Sequence, residues 1–291
     1  RGFGQFADKR DTCKLTLRNI VHTSAMKHHN NLLLLFLLLL TSLSLNAAAM
    51  RGHEDDAQGK APTSINLVFI GNSITAGATL SDPSRQAPPA LCRDMVEKAT
   101  GVHTNVYNGG HSGITTFGFM PGRRDFVKVV DAALRFQKAN GGVVYFSIML
   151  GTNDSACTTT EGAPVSPETY GRNMRTIIDS LIHAVPSCRI LLNYPIWYSP
   201  NTHNGARYLQ EGLDRLRSYY PVIDTIVDEY TQVYGGSSKA WRGFKNRKKL
   251  FTAEKGRSGT FYLHPNAQGA HRLAEIWTER LLDIIAEDGH Q

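Results

Sequence analysis

The feature that most constrains this chain is a series of short apolar segments, several stopping at Gly or Asn, that alternate with longer segments of helical period. Ile65 to Ile70 ends at Gly71, and Thr104 to Tyr107 runs into Asn108-Gly109-Gly110. Val143 to Leu150 ends at Gly151, and Arg189 to Tyr194 and Val222 to Val227 complete the set. Runs apolar on both sides of the pleat suit strands covered on both faces. Between them, Pro88 to Thr100 carries a stripe of Ala90, Leu91, Met95, Val96 and Ala99, with Pro at its start and Gly101 past its end, as a helix requires. Asp125 to Ala139, Pro167 to Ala184, Ala206 to Tyr219 and Ala267 to Ala286 read as further helices. The alternation predicts βαβ units with right-handed crossovers, hence a single α/β domain over 64–288 with a parallel sheet and helices on both faces. Ligands in such sheets bind beyond the carboxyl ends of the strands. One segment breaks the rhythm. Residues 235–259 are rich in Gly and Ser, hold eight Lys or Arg against the single acid Glu254, and read as a long loop.

The first 49 residues read as targeting. Met26-Lys27-His28-His29 opens a weakly basic stretch, Leu32 to Leu40 is an unbroken apolar run, and Ala47-Ala48-Ala49 offers small residues for a signal peptidase. A spanning helix needs about 20 apolar residues, so this run predicts a cleaved signal peptide at 26–49 and an exported protein without stable membrane insertion. Residues 1–25 precede the better start at Met26 and read as upstream, non-native translation, and 50–63 as a flexible lead-in. The formal charge of +7 owes four to residues 1–49, which hold six Lys or Arg and two acids. The remaining +3 does not argue for nucleic acid or an anionic membrane as partner. After the signal, Cys92, Cys157 and Cys188 permit at most one disulfide, fit no zinc spacing, and read as small buried hydrophobes.

Three strands end in residues that carry chemistry: Gly71-Asn72-Ser73-Ile74-Thr75, Asn108 through Gly113, and Gly151-Thr152-Asn153-Asp154. His264-Pro265-Asn266 comes directly before the last helix. A parallel sheet brings these four points to one edge. Acyl transfer needs a projecting hydroxyl, a base that works near neutral pH, and donors aimed at an oxyanion. Ser73, His264, a Gly backbone N–H at Gly113 and the Asn153 side-chain amide supply these roles. Ser112 is a weaker nucleophile candidate, because its neighbours do not form a Gly-x-Ser-x-Gly elbow. Asp154 reads as structural.

These blocks resemble the SGNH (GDSL-like) hydrolase family, named for Ser, Gly, Asn and His in four blocks. Here they are Ser73, Gly113, Asn153 and His264, with Asn72 where the commoner form has Asp. The resemblance spans about residues 64–285. It implies a three-layer α/β/α sandwich with a five-stranded parallel, flavodoxin-like sheet. It also implies an oxyanion hole from Ser73 N–H, Gly113 N–H and Asn153, and no metal or cofactor. One departure stands out: the family usually has Asp three residues before the catalytic His, where this chain has Phe261. A Ser–His dyad with a backbone carbonyl near Phe261 holding the ring is the favoured expectation. A carboxylate from elsewhere (Glu254, Asp228 or Glu229) and a dead site are the alternatives. Asn72, His111 and Trp197 are expected at the substrate, Trp197 beside Tyr198 and Trp241 in loops near the mouth. The expected activity is a secreted serine esterase working through an acyl-Ser73 intermediate on a small-molecule or glycan ester, with O-acetyl removal from a carbohydrate foremost. Lysophospholipase or thioesterase action, O-acetyl transfer, and a carbohydrate-binding protein with decayed catalysis are the other readings.

Overall fold

The computed structural model describes residues 64–289; the expected signal peptide at 26–49, the residues before it and the expected lead-in at 50–63 lie outside this range. Five strands, β1 (Ile65–Gly71), β2 (Thr104–Gly110), β3 (Val144–Met149), β4 (Arg189–Leu192) and β5 (Val233–Gly235), form one sheet in the order β2-β1-β3-β4-β5. Every pairing is parallel, with Ile65 opposite Thr104, Asn66 opposite Val144 and Tyr145 opposite Arg189. β1 and β3 are buried along their whole length, as their unbroken apolar sequences require. The helices are α1 (Ser73–Ala76), α2 (Pro83–Gln86), α3 (Pro88–Thr100), α4 (Arg124–Asn140), α5 (Pro167–Ala184), α6 (Leu209–Ser218), α7 (Tyr220–Glu229), α8 (Lys239–Phe244) and α9 (Ala267–Asp288). α3 packs on α9 while α4 crosses β1, β2 and β3, and α5 packs on α7. Right-handed crossovers put α3 and α4 on opposite faces, because the chain leaves β1 in one direction and returns past it in the other. The result is a three-layer α/β/α sandwich. The reversal opens a crevice at the carboxyl ends of β1 and β3. Large rings fill the layers between: Phe69 stacks on Trp277 at 5.7 Å and Tyr170 on Tyr219 at 4.2 Å.

Two expectations are corrected. Val222 to Val227 is not a strand but part of α7, in which Ile223 and Ile226 are buried and Asp224 and Thr225 are exposed. Apolar positions three apart, behind a Pro at the helix start, follow a helical period, and the last strand begins later, at Val233. Residues 235–259 are also not structureless. They contain α8, a 3₁₀ turn at Lys248–Leu250, and β6 (Glu254–Gly256), which pairs antiparallel with β7 (Gly259–Phe261). Among the described residues Cys92, Cys157 and Cys188 are all buried free thiols, and burial pushes Cys92 up to about 12. No helix among them is long and apolar enough to cross a membrane.

Candidate active site

The site is built where β1 gives way to α1. Asn72 is extended, with its Oδ1 accepting the Ile74 N–H at 2.9 Å, and this cap turns the chain sharply so that Ser73 becomes the first helical residue. The neighbouring strand end must come very close. A Cβ on Gly110 would lie 2.3 Å from the Ala76 nitrogen, so only Gly lets β2 end against α1. Ser73 Oγ then lies 2.8 Å from His264 Nε2.

His264 is carried by a loop clamped between two segments. Its carbonyl accepts from Thr252 N–H at 2.9 Å, and Asn266 N–H donates to Leu250 O at 3.0 Å. Asn266 Nδ2 reaches the carbonyls of Lys249 (2.9 Å) and Phe251 (3.1 Å), while its Oδ1 caps α9 at Gly269 N–H. Each contact holds the imidazole where α9 begins.

The far side of the ring answers the question left by Phe261. His264 Nδ1 lies 2.9 Å and 3.0 Å from the two carboxylate oxygens of Glu254, and Oε2 also accepts the His264 backbone N–H at 3.2 Å. Glu254 is directly opposite Phe261 in the β6–β7 hairpin. The carboxylate therefore reaches the ring from the strand beside the usual position, and the longer Glu side chain spans the gap. The dyad expectation is overturned, since a carboxylate and not a backbone carbonyl holds Nδ1. Neither Asp228 nor Glu229 takes this place, since Glu229 pairs with Arg175 and both acids close α7. With Nδ1–H donated to Glu254, Nε2 is left to accept the Ser73 hydroxyl proton.

The three expected oxyanion donors each follow the end of a strand or open α1. Ser73 N–H, at the first residue of α1, has no acceptor within its own helix. Gly113 has φ +81°, a conformation that favours Gly, in the turn after β2. Asn153 is nearly buried; one Nδ2 hydrogen goes to Ile114 O at 2.8 Å, and Tyr208 donates its hydroxyl to Oδ1 at 2.7 Å. These two bonds fix which way the amide faces and use one of its two Nδ2 hydrogens. The next residue locks the same two loops together: Asp154, wholly buried, accepts the N–H (2.9 Å) and hydroxyl (2.5 Å) of Thr116 through Oδ1. Its Oδ2 has no partner, and burial holds its carboxyl up at about 6. Asp154 is thus the structural residue expected. Sequence reasoning missed Tyr208 and Thr116, which stand in no block. It had Glu254 only as one acid among several, although it is the only acid in the basic segment ahead of His264.

The three expected substrate residues fare differently. His111 stands at the crevice, half exposed, with Nδ1 2.5 Å from Asp125 Oδ2 and its backbone N–H bonded to Gly71 O. Asn72 is enclosed and serves as the cap, so its expected substrate contact gives way to a structural one. Trp197 is also buried, with its ring edge-on to Phe251 at 5.6 Å, and offers no free face for stacking. Its apolar bulk is better matched by the core than by solvent.

Known proteins resemble this chain in sequence pattern and fold. A model of the GDSL-like Lipase/Acylhydrolase family matches residues 69–272. Among solved structures, a protein described as a GDSL-like lipase from Parabacteroides merdae is similar with a TM-score of 0.55 at 19% identity, covering 76% of this chain and 96% of its own. A carbohydrate acetylesterase from Sinorhizobium meliloti gives 0.52 at 14% identity, covering 76% and 99%. An acetylxylan esterase from Geobacillus stearothermophilus gives 0.51 at 19%, covering 76% and 94%. No curated protein matches the chain. The chain belongs to the GDSL-like lipase/acylhydrolase family and is a hydrolase of ester bonds.

Proposed function

We propose that the protein is an exported esterase that removes O-acetyl groups from a carbohydrate through an acyl-Ser73 intermediate. The observation that carries the reading is the unbroken chain Ser73 Oγ to His264 Nε2 to Glu254, with bonds of 2.8 and 2.9 Å. Ser73 Oγ attacks the acyl carbon as its proton passes to His264 Nε2. The carbonyl oxygen, now negative, takes hydrogen bonds from Ser73 N–H, Gly113 N–H and Asn153 Nδ2. The Glu254 carboxylate stabilises the imidazolium across Nδ1–H without taking its proton. Collapse breaks the ester bond, and the leaving alcohol collects the proton from His264. Water then gives a proton to His264 and attacks the acyl-enzyme, and collapse returns that proton to Ser73 and releases the acid.

Carbohydrate as the alcohol is supported by two structural neighbours described as a carbohydrate acetylesterase and an acetylxylan esterase. Export is supported by the basic, apolar and small-residue pattern over 26–49. Hydrolysis of 4-nitrophenyl acetate, butyrate and octanoate by residues 50–291 tests the reading, with Ser73→Ala beside it. Acetate is expected to be cleaved fastest, and the variant to lose activity at least 1,000-fold, the scale of losing a nucleophile. A preference for octanoate would remove the deacetylase reading. Equal rates in the variant would remove Ser73.

A further inference from the structure

Residues 239–257 hold eight cations, and their single acid is consumed by the active site, since Glu254 faces His264. Lys239 pairs with Glu279, but among the described residues none of Arg242, Lys245, Arg247, Lys248, Lys249, Lys255 and Arg257 has a carboxylate partner. All seven are exposed. Part of this charge lines a defined cleft of about 270 Å³, where Arg247, Lys249, His271 and Arg272 meet Gln268 and Glu275. Glu275 is already shared by Arg272 at 2.8 Å and His271 at 3.4 Å, which leaves the Arg247 and Lys249 side uncompensated. The volume is near the lower end of ligand clefts, about 300 Å³, and takes one anionic unit.

The cleft is also joined to the catalytic machinery. Lys249 and Leu250 line the cleft, and their carbonyls hold Asn266, two residues after His264. Gln268 follows His264 by four residues. Leu250 packs tightly against the start of α9, since a Cβ on Gly269 would stand 2.0 Å from Leu250 O.

We infer that this cleft binds a carboxylate or sulfate of an acidic glycan, and anchors the polymer so that a neighbouring O-acetylated unit reaches Ser73. The inference rests on the glycan reading for the reaction but not on it for the binding. Arg supplies paired donors matched to a planar or tetrahedral oxyanion, and Lys a point charge beside it. Binding of a polyanion to such a site weakens as salt screens the charges.

The test is native electrophoresis through gels containing polygalacturonate, dextran sulfate or neutral hydroxyethyl cellulose. It uses the wild type, the double variant Arg247→Gln/Lys249→Gln, and Lys128→Gln/Lys138→Gln on α4 as a control with the same loss of charge. The wild type and control should be retarded by an acidic polymer and not by the neutral one. The double variant should bind at least tenfold more weakly with an unchanged melting temperature. On O-acetylated polygalacturonate its KM should rise tenfold. Equal retardation of all three proteins, or none of the wild type, would overturn the inference. Stabilisation by inorganic phosphate without retardation by either polymer would do the same. Retardation lost only in the double variant, with no acetate released from any polysaccharide, would keep the cleft and remove the proposed substrate.

Discussion

At the scale of the residue, catalysis here depends on groups that hold other groups. Glu254→Gln keeps shape and one acceptor but removes the charge that steadies the imidazolium, so kcat on 4-nitrophenyl acetate should fall 100-fold or more with KM within threefold. Loss of less than threefold would show that Glu254 does not orient His264. Tyr208 touches no reacting atom and acts through Asn153 Oδ1 at 2.7 Å. Tyr208→Phe should therefore lower kcat about tenfold and leave KM nearly unchanged; a matching rise in KM would assign Tyr208 to substrate binding instead. Asp154 offers a test in pH. Its carboxyl is held up to about 6 by burial, against an ordinary 3.8, so the folded state favours the protonated form. Its stabilising contribution is full below about pH 4 and is lost as pH rises through 6, a cost of about 3 kcal/mol by the size of the shift. Asp154→Asn cannot ionise, so its melting temperature relative to wild type should climb between pH 4 and pH 7. A constant difference across that range would contradict this. The proposed set of Ser73, Gly113, Asn153 and His264 was legible in sequence because each follows a strand or precedes a helix, and strand ends meet at one edge. Tyr208 was not, and Glu254 stood only as one of three alternative acids, because their partners are set by loop geometry that no spacing encodes.

At the scale of the element, the decisive piece is the β6–β7 hairpin. It is only three residues a side, too short to be stable alone, and it carries Glu254. It is fastened by Asn201 Nδ2 to the carbonyls of Ser258 (3.2 Å) and Thr260 (2.8 Å), and by Ser199 N–H to Tyr262 O at 2.8 Å. Phe261 anchors it by burying its ring, a role that suits an apolar residue at this position. Asn201→Ala should speed amide exchange across 254–261 and lower kcat three- to tenfold, at a cost of about 1–2 kcal/mol. Unchanged exchange would mean that the hairpin is held elsewhere. The hairpin was invisible in the sequence because its residues lack alternation and its pairing depends on the loop at 199–203. The helices were easier. Pro88–Thr100 and Pro167–Ala184 were read to the residue, since a Pro opens each and Gly101 or Pro186 stands just past the end. Val222 to Val227 was misread because a short apolar run fits either period until its packing partner, here α5, is known.

At the scale of the molecule, the sheet order β2-β1-β3-β4-β5 gathers three loops and the start of α9 around one crevice, and the remaining structure supports that meeting point. The parallel sheet was legible from the strand and helix alternation alone, and the family from four short blocks in order. The basic cleft beside α9 was not, because cations spread over residues 247–272 are brought together only by folding. The account stands on Ser73 as the nucleophile, and one measurement reaches it directly: intact mass and peptide mapping after exposure to diethyl 4-nitrophenyl phosphate, with residual esterase activity followed in parallel. The account predicts one diethyl phosphoryl group per chain, carried by Ser73, with activity falling in step and no labelling of Ser73→Ala. Labelling at another residue as activity is lost, or full inhibition with Ser73 unmodified, would contradict it.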